Sequence, residues 1–184
     1  MKSLLFLFLF TCACVFCASA QSFRGLDRSP MDMAYLPDNF AHDRKEGDQA
    51  IIRVTYSRPQ KKGRDLFGGL LSYGKVWRVG ANEAPEINVY QDITLGGKKL
   101  QAGTYSLFAI PGEKEWEIII NSDLNYWGAY SYDSAKDIIR IITSVKSLDQ
   151  VVEAFSLQFQ ETGSKQATMR LAWDQTMVEV PITY

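Results

Sequence analysis

From Ala50 to its end the chain runs through short stretches that alternate apolar and polar residues, each cut off within about ten positions by Gly, Pro or Asp. Alternation at period two buries one face of a strand and wets the other. In 51–57, Ile52, Val54 and Tyr56 share one face while Arg53 and Thr55 share the opposite one. A second extended run covers 86–95, and Gly96-Gly97 then makes a two-residue hairpin turn into 98–100, since glycines accept the positive φ angles such turns demand. Further strands are predicted over 105–110, 116–120, 138–142, 154–159, 167–173 and 177–182, with Pro111-Gly112, Gly163 and Asp174-Gln175 as turns. Only 66–71 and 147–152 suggest a single helical turn each. The expectation is an all-β fold, mainly an antiparallel β-sandwich of about nine strands with two long loops, with a β-barrel as the alternative. Trp77, Trp116 and Trp173 are expected in its core.

The ends set the domain limits. Residues 1–20 read as a signal peptide: Lys2, an apolar run over 4–10, then Ala18-Ser19-Ala20, with the cut before Gln21. The run is too short for a membrane anchor, which needs about 20 apolar residues. A lipoprotein is the lesser alternative, because the residues before Cys14 make a poor lipobox. Residues 21–48 read as an extended N-terminal segment in which Met31, Met33, Tyr35 and Leu36 dock on the domain, and 49–184 as a single β-sandwich. The expected location is exported, periplasmic or extracellular.

All three cysteines, Cys12, Cys14 and Cys17, fall in the leader. The exported chain would then have neither disulfides nor thiol chemistry. The full chain has a net charge of −1, and losing Lys2 with the leader makes it −2. Neither value suits a nucleic-acid partner, which calls for a basic face. No later segment is long and apolar enough to cross a bilayer. The single histidine, His42, lies before the domain, so no Ser-His-Asp triad or histidine zinc site has its parts. No phosphate-binding or dinucleotide motif occurs, and no cofactor is expected.

Two connections, 58–85 and 121–136, are too long to be plain links, and loops of that length usually carry function. The first holds Arg58, Lys62, Arg64 and Arg78, whose guanidinium forks and ammonium suit a carboxylate or phosphate. It also holds Tyr73, Asn82 and Glu83. The bland alternative makes Arg78 and the Asn82-Glu83 pair a buried ionic pin, and Lys61 and Lys62 a solvated face. The second loop crowds Tyr126, Trp127, Tyr130 and Tyr132 together. Trp127 and Tyr130 could stack a sugar ring or else plug one end of the sandwich. Arg58, Lys62, Arg64, Tyr73, Arg78, Asn82, Glu83, Trp127 and Tyr130 are thus the candidate ligand-binding residues, for a glycan or small anion. A carboxylate-dependent glycoside hydrolase would instead use Glu83 with Asp123 or Asp133, and a purely structural role is a third reading. Asp123, Asn125 and Asp133 offer oxygen ligands but lack a calcium loop's spacing, so no metal is expected.

Ser-Arg-Pro-x-x-Lys-Gly-Arg at 57–64, Phe-Gly-Gly-Leu at 67–70 and the 73–84 block Tyr-Gly-Lys-Val-Trp-Arg-Val-Gly-Ala-Asn-Glu-Ala resemble a family of exported bacterial proteins. So do Ala-Gly-Thr-Tyr-Ser-Leu-Phe at 102–108, Pro-Gly-Glu at 111–113 and Asn-x-Trp-Gly-Ala-Tyr at 125–130. The family is known as domain of unknown function 2911. The resemblance runs from about Ile51 to Ile182 and implies one β-rich domain in the envelope of Gram-negative bacteria. It implies no activity and nominates no catalytic residue.

Overall fold

A computed structural model of the chain describes residues 23–184. The expected leader, its three cysteines and the cut before Gln21 lie outside the described residues. In chain order the strands are β1 (Met31–Leu36), β2 (Ile52–Ser57), β3 (Glu86–Val89), β4 (Ile93–Leu95), β5 (Lys98–Leu100), β6 (Gly103–Pro111), β7 (Glu115–Asn121), β8 (Asp137–Ser144), β9 (Lys146–Gly163) and β10 (Gln166–Thr183). Two antiparallel sheets result, one ordered β1-β2-β3-β6-β7-β8 and the other β5-β4-β10-β9. Neither closes on itself, so the fold is a β-sandwich and the barrel is set aside. The only helices among the described residues are α1 (Phe40–Asp43) and a 3-10 turn at Ser134–Lys136. No helix among the described residues is long and apolar enough to cross a membrane.

The inward faces follow the alternation. Ile52, Val54 and Tyr56 of β2 meet Trp116, Ile118 and Ile120 of β7 and Met169, Leu171 and Trp173 of β10 in one core. Gly96 and Gly97, at φ 55° and 80°, make the β4–β5 turn. Central strands carry apolar residues on both faces: Leu107 and Ala109 of β6 enter the main core, while Phe108 joins Ile119 in a smaller one outside the sheet. Residues of the two long loops roof that outer core.

Several elements depart from the sequence reading: the run 86–95 splits into β3 and β4 of different sheets, and 66–71 forms turns closed by a Phe67–Leu71 bridge where a helical turn was expected. The lead-in contributes β1, paired with β2 from Met31↔Ser57 to Leu36↔Ile52. Of the residues expected to dock, Leu36 is fully buried in the main core, whereas Met31 and Met33 face solvent, so backbone pairing holds the first half of this edge strand. Residues 147–152 belong to β9 instead of a helical turn. Asp174-Gln175 is a bulge within β10, with Asp174 at φ 57°, and no turn. The bulge explains why the buried positions of β10 change from odd (Met169, Leu171, Trp173) to even (Val178, Val180, Ile182). An extra residue in one strand shifts its side chains to the other face.

Candidate functional site

The 58–85 connection is held at many points. Trp77 exchanges two backbone hydrogen bonds with Ala109, and Gly74 N–H and Leu107 N–H bond Pro111 and Pro85 carbonyls. Residues 74–85 therefore prolong the β3 side of β6, with 78–84 interrupting the pairing as a loop whose Val79 enters the main core. The buried Ser57 hydroxyl accepts from Ala81 N–H and donates to Ala81 carbonyl. Gly80 (φ 143°) lies so close that a Cβ would come within 2.9 Å of Ser57 Oγ, which accounts for glycine here. The buried Val79 takes φ 54°, a strained setting for a β-branched residue. Strain of this kind collects at ligand sites.

Between this loop, the β10 bulge and the start of β1 lies a cleft of about 460 Å³, a size suited to a small ligand. Among the described residues Arg28, Lys62, Arg64 and Arg78 line it, and no carboxylate does. Trp77, Trp173, Leu70 and Leu71 supply apolar wall. Trp77 and Trp173 stack with centroids 6.0 Å apart and planes at 15°. Lys61 is excluded from the cationic set, since it pairs with Asp174 of the bulge. Arg64 spends two N–H groups on the Gln60 and Lys61 carbonyls. Arg78 is half-buried, its Nε is buried with no hydrogen-bond partner, and no acid pairs with it among the described residues. Burial lowers its pKa from the ordinary arginine value, with the Tyr130 hydroxyl pulling the other way.

Of the nine expected site residues, Lys62, Arg64 and Arg78 meet in the cleft. Arg58 is spent elsewhere: it donates to Asp32 of β1 and to Ser156 and the Phe155 carbonyl of β9, tying the two sheets together. Tyr73 packs against Gly68 outside the cleft lining. Asn82 and Glu83 also lie outside that lining. There the Asn82 carbonyl accepts from Gly128 N–H, and Ala84 N–H donates to the Tyr126 carbonyl. These bonds set Glu83 opposite Trp127 and join the two long loops. Glu83 is exposed, so the buried ionic pin with Arg78 does not form. Trp127 and Tyr130 are 64% and 82% exposed and stack on each other 5.8 Å apart at 16°. The plug is made by Tyr126 and Tyr132, which flank Phe108 edge-on at 5.3 and 5.1 Å. Arg28 was not foreseen, because only the pairing of β1 with β2 brings it to the cleft.

Of the three carboxylates expected for a hydrolase, Glu83 is exposed while Asp123 and Asp133 hold local turns. Asp123 accepts from Leu124 N–H and the Tyr126 hydroxyl, and Asp133 accepts from Ala135 N–H. Among the described residues no cluster of three or more His, Cys, Asp or Glu could hold a metal ion. The second loop is anchored instead by Tyr132, whose hydroxyl donates to Asp137 and accepts from Arg140. Burial, then the Asp137 bond, pushes the Tyr132 pKa up from 10.0 to about 12. A raised acid favours its neutral form in the fold, so this contribution is complete below pH 10.0 and lost as pH climbs through about 12. Urea midpoints measured across that range should fall, and Tyr132→Phe should flatten the fall. An unchanged slope in the variant would assign the alkaline loss to other tyrosines.

The family described as "Protein of unknown function (DUF2911)" matches residues 38–182. The chain belongs to this family. The match takes in β2 to β9 and all but the last residue of β10 but starts after β1, so Arg28 stands outside it. Searches of curated proteins and of solved structures find no significant match. Within this DUF2911 domain the cleft combines three cations from the matched region, one from the strand-bearing lead-in, and a tryptophan wall.

Proposed function

We propose that this DUF2911 protein is an exported bacterial envelope protein that binds a small organic anion in the Arg78 cleft without transforming it. The observation that carries the reading is a pocket lined, among the described residues, by four cations and no carboxylate, one of those cations being a half-buried arginine without an acid partner there. Opposite charge supplied by a ligand would satisfy groups the fold leaves unmatched. The apolar wall favours an anion with a hydrophobic or ring body over a bare inorganic ion. Export is supported by the short apolar run and the Ala-Ser-Ala motif of the leader.

The test is thermal denaturation against a panel of phosphorylated, sulfated and carboxylated metabolites with neutral counterparts. A ligand at about a hundred times its Kd stabilises the native state by about 2.7 kcal/mol, which for a domain of this size raises Tm by several degrees. Anionic members should give that shift and neutral ones should not. Silence across the panel would refute binding. Export is checked separately, by sequencing the N-terminus of the mature protein, which should begin at Gln21.

A further inference from the structure

The cleft is not the only ligand-like surface on these loops. Trp127 and Tyr130 are the largest aromatic side chains left open to solvent near it, and their exposure is unusual because such rings are normally spent on burial. They are not floppy ornaments. Trp127 sits on the backbone bridge to Glu83, and its neighbours Tyr126 and Gly128 carry the bonds of that bridge. Their stacking on each other closes one face of each ring, so the pair offers an outward platform and no slot between two rings. A slot would suit a flat nucleobase. An outward face suits the C–H side of a pyranose ring. Directly opposed residues on an antiparallel bridge project to the same side, which sets the exposed Glu83 beside the Trp127 indole, where a carboxylate can accept from sugar hydroxyls.

The platform and the cleft are contiguous through Arg78. Its side chain borders the cleft and also a small recess whose lining includes Ala129, the residue between Gly128 and Tyr130. The Tyr130 hydroxyl is near enough to Arg78 to act on its titration. A ligand stacked on Trp127 and Tyr130 would therefore meet the cations next.

Resting on the anion-binding reading above, we infer that the ligand is an acidic oligosaccharide: one sugar ring lies on the Trp127–Tyr130 platform and a neighbouring carboxylate- or sulfate-bearing residue enters the Arg78 cleft. The contacts are divided, so the two parts of the site contribute separately to affinity.

Isothermal titration calorimetry on the full exported chain tests this with galacturonic acid, its tetramer and a neutral galactose tetramer. The acidic tetramer should bind at least about tenfold more tightly than the monomer, the size of gain that one stacking contact gives. Trp127→Ala, an exposed substitution, should keep the wild-type melting temperature and monomer affinity yet lose that gain. The neutral tetramer should bind at least about tenfold more weakly than the acidic one. If the tetramer binds no better than the monomer, or keeps its advantage in Trp127→Ala, the platform assignment falls while the anion cleft stands. Equal binding of the neutral tetramer overturns the acidic class. If the acidic tetramer fails to bind at all, the inference is overturned, and the panel of simple anions then decides the cleft independently.

Discussion

Replacing Trp77 by alanine is expected to remove about 3–5 kcal/mol of folding stability, the range for truncating a large buried aromatic. Trp77 is 4% exposed and sits at the centre of an aromatic cluster: stacked on Trp173, edge-on to Trp116 and Phe155, and 6.4 Å from Phe67. Its indole N–H donates to the Gly80 carbonyl, so the same side chain also fixes the 78–84 loop. Against a typical total of about 5–15 kcal/mol, a loss of this size lowers Tm by on the order of 6–20 °C. Trp77→Phe keeps part of the packing and should fall between the two. Trp127→Ala is the internal control. The same residue type in the neighbouring loop is exposed, and its removal should move stability by no more than about 0.5 kcal/mol. Urea and thermal denaturation of the three variants decide the matter. A loss under about 1 kcal/mol for Trp77→Ala would mean that the cluster relaxes around the gap and that Trp77 does not organise the cleft.

That contrast shows what could be read from residues alone and what could not. Alternation in 51–57 announced β2 because one face meets the core along its whole length. Gly96-Gly97 announced a hairpin because the turn geometry is local. For β1 the docking of Leu36 was legible but the strand was not, since Met31 and Met33 point to solvent and its place depends on pairing with residues about twenty positions away. The Asp174 bulge imitates a turn, because a polar pair interrupting two apolar runs looks the same in either case. At the site, a density of Arg and Lys marked the right loop but not the right members. Arg58 and Arg78 look alike in sequence. The register of β1 puts Asp32 beside Arg58, and nothing comparable among the described residues reaches Arg78. Which arginine is consumed by the fold and which is left for a ligand is settled by long-range pairing, and local pattern carries no record of it.

Arg78→Met is expected to abolish most anion binding while leaving the fold as stable as before, or more stable by about 1 kcal/mol. The argument turns on a group held against its own preference. Burying a guanidinium without an acid partner costs stability, because lost hydration is not replaced. The buried, unpartnered Nε and the pKa lowered chiefly by desolvation are two signs of that cost. For a base with a lowered folded pKa, the penalty is at full strength at every pH below that pKa and is relieved only above it. The whole neutral range therefore carries it. Methionine keeps an unbranched apolar stem of similar reach and sheds the charge, so the penalty disappears with the ligand contact. A charge-assisted hydrogen bond is worth about 1.5–3 kcal/mol, so affinity for the best anion of the panel should fall by roughly ten- to a hundredfold. Arg78→Lys, which keeps the charge but loses the planar fork, should sit between. If Arg78 merely held the loop, the order would reverse: methionine would destabilise the fold and leave anion affinity per folded molecule unchanged. Urea melts and calorimetry on the same three proteins at pH 7 separate these outcomes. A stable, non-binding Arg78→Met protein would mean that the fold tolerates an unmatched cation for the sake of what the cleft binds.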